Sequence, residues 1–258
     1  MFGLPLEQLY GQLSHTFFIM VRVAALLHVA PIFSEKSISA RVRAGLALLI
    51  ALLISSSVPD AQVGLYTWTG AWVLAKQVVI GAAMGLMLQL IFAAVRLAGE
   101  IIGMQMGLSF ATFFDPGTGN SPVISRFLNL LVTLLFLVFN GHLWLLGILA
   151  ETFHALPVNA APLHAGGFLY LVSQAGLIFS QGLMLGLPII SLLLCINFTL
   201  GLLNRLTPQL SIFVVGFPLT LSVGMVALFL IAQTLAPFFE RLMARIFDNI
   251  GELILSFS

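Results

Sequence analysis

Residues 71–98 read AWVLAKQVVIGAAMGLMLQLIFAAVRLA, and residues 99–126 continue as GEIIGMQMGLSFATFFDPGTGNSPVISR. The first run is apolar over more than the ~20 residues that a helix needs to cross a bilayer, with Lys76 and Arg96 as its only charges. Gly81 and Gly85 are spaced for close helix packing, and Gly99, Gly103 and Gly107 repeat that spacing. On a helix such positions form a stripe without side chains, where another backbone can approach closely. The stripe runs into Ser109, Phe110, Ala111, Thr112, Phe113 and Phe114, then into DPGTGNSP at 115–122, which is turn chemistry. A long membrane helix is expected here. It ends in an aromatic cluster on a loop, a body that can fill a hole and be moved out of it.

Composition sets the class. The chain has 258 residues, 60% hydrophobic and 7% charged, whereas soluble domains carry about 25% charged residues. An all-α, polytopic membrane protein follows. A formal net charge of +1 gives no sign of a nucleic-acid partner. The single cysteine, Cys195, excludes an internal disulfide and, inside SLLLCINF, is expected as a small core residue. Residues 1–12 lack Lys and Arg, and Arg22 interrupts the first apolar run, so this end is expected to be retained as the first hydrophobic segment.

The remaining segments follow in order. Residues 13–33 hold His15, Arg22 and His28, and residues 44–58 form a second segment. Residues 127–150 form the fourth, interrupted by Asn140, Gly141 and His142. Residues 168–203 are nearly twice one span's length and carry Gly182, Gly186 and Pro188 near the middle. They form either one long kinked helix or a tight hairpin. Residues 212–235 are the last strongly apolar segment, and the tail from Pro237 to Ser258 reads as an amphipathic helix.

Arg22, Lys76, Arg96, Glu100 and Arg205 are expected as buried charges. A charge at a helix centre costs roughly 2.5–3.5 kcal/mol on insertion scales, so these groups should face protein or water. Arg96 and Glu100, one turn apart, can pair. A small bundle offers Arg22, Lys76 and Arg96 few acids, which points to partners on other chains. The positive-inside rule places 34–43, 96–126 and the Arg205 turn in the cytoplasm, with the N-terminus outside. Six spans would then leave Arg241 and Arg245 outside, against the same rule. Crossing twice with 168–203 moves the tail inside but flips the last turn.

Three other chemistries are weaker. Glu151 and His154 form one Glu-x-x-His pair, where a di-metal bundle needs two. Gly107-Leu108-Ser109-Phe110 fits the short pattern around an intramembrane serine nucleophile, but no His follows His164 to act as base from a later helix. A secondary transporter with a broken-helix site near Gly182–Pro188 should show two matching halves, and none is visible. No phosphate-binding loop and no cofactor site are evident, so no enzymatic activity is expected.

The strings GEIIGMQMGLSFATFFDP, FNGHLWLL, ETFHALP and GLLNRLTPQLSIFVVGFPLTLSVG together closely resemble the FliR family of flagellar type III export-gate proteins. The resemblance runs in order over nearly the whole chain. SFATFFDP and NRLTPQLSIFVVGFP place it on the flagellar branch, with virulence secretion systems more distant. The resemblance implies one copy of this chain in a helical assembly with several copies of FliP and FliQ. That core is the gate through which unfolded flagellar subunits leave the cytoplasm, with FlhB around its cytoplasmic mouth and FlhA below. It implies a multi-pass protein of the bacterial inner membrane within the flagellar basal body, touching lipid and built of long kinked hairpins. Residues 1–258 would be one export-gate domain, with about 1–165 similar to FliP and about 166–258 to a FliQ helix pair.

By the same resemblance, the loop matching 107–120 points into the channel as a plug. Phe110, Phe113 and Phe114 would make a narrow gap that holds little water. Met104 and Met106 would repack around variable cargo. Gly107, Asp115, Pro116, Gly117 and Gly119 would form the hinge of the loop.

Overall fold

The computed structural model describes residues 6–35, 37–59, 63–108, 122–207 and 212–258, with side chains from Tyr10 in the first helix and from Val215 in the last. Among the described residues the chain is helical, with no strand. The helices are α1 (Leu6–Val29), α2 (Ala40–Ser55), α3 (Trp68–Gln105), α4 (Val123–Val138), α5 (Gly141–Ala155), α6 (Ala165–Gln174), α7 (Gly176–Leu206) and α8 (Ile212–Phe257).

Among the described residues four stretches are long and apolar enough to cross a membrane, and α4 with α5 adds a fifth if the pair counts as one bent span. At 38 and 46 residues, α3 and α8 are about 57 and 69 Å long, roughly twice a hydrocarbon core. The break between α4 and α5 falls at the polar interruption foreseen in the fourth segment, with a 64° bend. Asn140 turns the chain there with φ of 54°, a left-handed conformation that Asn tolerates better than most residues.

Of the two readings of 168–203, the structure takes the long helix. α7 runs unbroken through Pro188, and α6 precedes it after one residue. The tail is no separate element either, because α8 continues through Pro237 to Phe257. Its buried residues Phe239, Leu242, Ile246, Ile250, Leu253 and Phe257 recur at helical spacing, which bears out the amphipathic reading.

The chain groups into two compact units. The first comprises Met1–Gln89, Asn140–Gln174 and Ala244–Ser258; the second comprises Leu90–Phe139 and Ala175–Met243. Both α3 and α8 thus contribute to each. This grouping by contacts does not bear on the division expected at about residue 165.

In the first unit Phe18, Val23 and Leu26 of α1, Met84 and Leu88 of α3, and Leu149 and Phe153 of α5 are buried. α3 meets α1 at its glycines. A methyl added at Gly85 would lie 2.8 Å from Val29 Cβ, and one at Gly81 would meet the Arg22 carbonyl oxygen and stand 3.0 Å from Ala25 Cβ. In the second unit, Ile91 and Val95 of α3, Val132 and Phe136 of α4, Leu193 of α7 and Phe239 of α8 are buried. There Gly182 of α7 lies against Ala94 and Leu97 of α3, an added methyl standing 2.7 Å from the Ala94 oxygen. Lipid tails are as apolar as Leu, so helix association in a membrane rests on such close packing more than on hydrophobic burial.

Candidate functional site

The end of α3 is the centre of the second unit's polar chemistry. Gly107 takes φ of 80°. Its N–H donates to the Met104 carbonyl at 3.1 Å, and the Leu108 N–H donates to the Gly103 carbonyl at 3.0 Å. This is a Schellman cap, which requires a left-handed residue where Gly stands. The Gln105 carbonyl accepts from Asn197 Nδ2 at 3.2 Å, and the Met106 carbonyl accepts from Thr220 Oγ1 at 3.3 Å. Every carbonyl that the helix end would orphan therefore has a partner.

The chain returns beside the same helix. Ser125 of α4 packs on Gly99, where an added methyl would lie 2.5 Å from Ser125 Cα, and Ser125 Oγ donates to the Arg96 carbonyl at 3.2 Å. Gly103 is looser, since a methyl there would find Ile124 Cγ1 at 3.7 Å and Pro122 Cβ at 3.9 Å. The stripe of Gly99 and Gly103 thus packs within the chain, against α4.

The two methionines differ. Met104 is 55% exposed, whereas Met106 is fully buried over Gly224 of α8, where an added methyl would meet its Cγ at 2.6 Å. Met106 therefore fills a gap inside this chain. Phe110, Phe113, Phe114, Asp115, Pro116, Gly117 and Gly119 lie outside the described residues, as does Ser109.

Arg22 is buried, as expected, but its partners are not other chains. Nε donates to Gln77 Oε1 at 2.7 Å, Nη1 to Thr152 Oγ1 at 2.9 Å and Nη2 to the Leu156 carbonyl at 2.7 Å. The guanidinium also lies 4.0 Å from the centroid of the Phe153 ring. Thr152 and Leu156 belong to the last turn and C-cap of α5. The cation thus sits at the negative end of a helix dipole and needs no carboxylate. Lys76 is likewise buried, donating to Asn159 Oδ1 at 2.9 Å and to the Ala161 carbonyl at 3.1 Å. The expectation that these two cations look outside the chain is corrected: neutral acceptors of the same unit satisfy both.

Arg96, Glu100 and Arg205 are exposed within the chain, as is Cys195, which is not the core residue its sequence neighbours suggest. Glu151 and His154 are exposed on α5, and among the described residues no group of three or more His, Cys, Asp or Glu could hold a metal. The broken helix that a transporter site would need near Gly182–Pro188 is absent, because α7 is continuous there.

Sequence reasoning missed Gln77, Thr152, Asn159, Asn197 and Thr220. Their one signal is a polar side chain inside or beside an apolar helix. Thr152 lies between Glu151 and His154, the pair that drew notice, and is buried with Phe153 while those two are exposed.

Known proteins match this chain along most of its length. The sequence profile described as bacterial export proteins, family 1, matches residues 13–246. The flagellar biosynthetic protein FliR of Pectobacterium carotovorum subsp. carotovorum is 50% identical over 246 residues, covering 95% of this chain and 94% of that one. FliR of Escherichia coli (strain K12) is 49% identical over 249 residues, covering 96% and 95%. FliR of Bacillus subtilis (strain 168) is 30% identical over 217 residues, covering 81% and 83%. Matched by the family profile over residues 13–246 and by relatives about half identical along almost its full length, the chain belongs to the FliR family of flagellar biosynthetic proteins, within bacterial export proteins family 1.

Proposed function

We propose that this chain is a core subunit of the flagellar type III export gate. With several copies of FliP and FliQ it forms the channel through which unfolded flagellar subunits leave the cytoplasm. The observation that carries this reading is the match to an export family over residues 13–246, joined to relatives about half identical along almost the full chain. The helices support it, since four are long and apolar enough to cross a membrane. In this reading the chain sits in the bacterial inner membrane within the basal body, with FlhB and FlhA at its cytoplasmic side. Its first part, to about 165, is FliP-like, and the rest is a FliQ-like helix pair. The role is conduction and not catalysis, so the energy for export comes from partners or from the proton gradient.

The segment from Gly107 to Asn120 is the plug of that channel. Its phenylalanines, Phe110, Phe113 and Phe114, follow a capped helix end in the sequence and precede the Pro/Gly-rich string DPGTGNSP. Bulky apolar groups in a narrow gap exclude water and ions yet yield to a peptide. The test is closed-channel conductance of assembled complexes in planar bilayers. Changing the three phenylalanines together to Ala should leave assembly intact and open a leak to small ions. A triple variant as tight as the wild type would remove the plug role.

A further inference from the structure

We infer that Asn197 and Thr220 are positioning residues that fix the C-terminal end of α3 from two other helices, α7 and α8. The functional meaning of this lock rests on the plug reading above, but the lock itself does not.

A helix end leaves four carbonyls without intrahelical partners. In a membrane's interior no bulk water is at hand to satisfy them. At α3 the Schellman cap supplies partners for Gly103 and Met104 from the chain's own next two amides. It does nothing for Gln105 and Met106. Asn197 stands in the apolar run CINFTLG of α7, where its amide is the one group able to fork. It donates to the Gln105 carbonyl at 3.2 Å and to the Gln105 side-chain oxygen at 3.3 Å, pinning backbone and side chain together. Thr220 lies buried in α8. Its hydroxyl is shared between the Met106 carbonyl at 3.3 Å and the Phe217 carbonyl of its own helix at 3.1 Å.

Packing holds the same atoms from below and beside. Gly224, one turn beyond Thr220, leaves room for the Met106 side chain, and the Phe217 ring lies against Gly107, where an added methyl would find it at 3.1 Å. Asn197, Phe217, Thr220 and Gly224 thus converge on residues 105–107. That convergence makes the residue after Gly107 start from a fixed point, whatever the chain does next. Any swing of α3's end must break side-chain bonds to two other helices, α7 and α8.

The test uses the full chain in its assembled complex, with hydrogen exchange of the Gly107 and Leu108 amides and closed-channel conductance read on the same preparations. Asn197→Leu and Thr220→Val keep size and remove the donor. Each should raise exchange at those amides about five- to ten-fold, the scale of one net hydrogen bond, and raise the resting ion leak. Thr220→Ser keeps the hydroxyl and should match the wild type in both. Unchanged exchange in both donor-less variants overturns the inference. So does failure of both to assemble while Thr220→Ser assembles normally, since the pair would then serve assembly. Raised exchange without a leak would uphold the lock and count against the plug reading instead.

Discussion

Arg22 and Gln77 are joined by a 2.7 Å hydrogen bond between fully buried side chains, a cation held by a neutral amide one helix away. A hydrogen bond to a charged group contributes about 1.5–3 kcal/mol, and losing one partner strands the other. Gln77→Leu should therefore lower the stability of the chain by about 2 kcal/mol, seen as a lower unfolding temperature in detergent. Adding Arg22→Met to Gln77→Leu removes the stranded cation and should recover part of the loss. A double variant that simply sums the two single losses would show that the pair is not coupled.

The two glycines of the α3 stripe should behave differently. At Gly99 an added methyl meets backbone, Ser125 Cα at 2.5 Å, and backbone cannot step aside cheaply. Gly99→Ala should cost about 1–3 kcal/mol by overpacking. At Gly103 the nearest atoms stand at 3.7 Å or beyond, ordinary contact distance. Gly103→Ala should be neutral, or stabilising by up to about 1 kcal/mol through helix propensity. Thermal unfolding of both variants checks the contrast, and equal losses at the two positions would contradict the packing described.

Much of the fold is legible in the sequence because membrane helices announce themselves by length and apolar content. The break at Asn140–His142 and the amphipathic tail after Pro237 were readable for the same reason: polarity changes where the environment does. The glycine stripes showed that something packs closely, but not what. Sequence cannot tell whether Gly99 meets α4 of its own chain or a neighbour, since a glycine stripe admits any closely approaching helix. The long segment around Pro188 stayed open between helix and hairpin because proline kinks some helices and ends others. Arg22 misled for a chemical reason. A buried cation suggests an acid, whereas an amide, a hydroxyl and a helix C-terminus serve together, and such acceptors are too common to stand out. Of the candidate site, the helix cap at Gly107 was half visible, while Asn197 and Thr220 gain meaning only from the fold.

Asn140 offers a local test of the bend between α4 and α5. Its φ of 54° strains a β-branched side chain but suits Gly. Asn140→Gly should leave the unfolding temperature nearly unchanged. Asn140→Val should lower stability by roughly 1–3 kcal/mol, the cost of holding such a residue in a left-handed conformation. An equally stable Val variant would mean that the bend relaxes to another backbone path.

Cys195 tests the orientation of α7. Leu193 is fully buried, and two residues further a helix has turned by about 200°, to the opposite side. Cys195 is accordingly exposed, between Leu194 at 49% and Phe198 at 70% exposure. It is the chain's one thiol, so labelling needs no background correction. N-ethylmaleimide should modify the native chain in detergent within about tenfold of the rate for the denatured chain, because no native opening is required. A core cysteine would instead react only through unfolding, slower by orders of magnitude. The same measurement on the assembled export complex, in the same detergent, should be slower than on the chain alone if another gate subunit covers this apolar face. Protection in the isolated chain would reverse the face of α7 assigned to the interior, and with it the packing of Gly182 on Ala94.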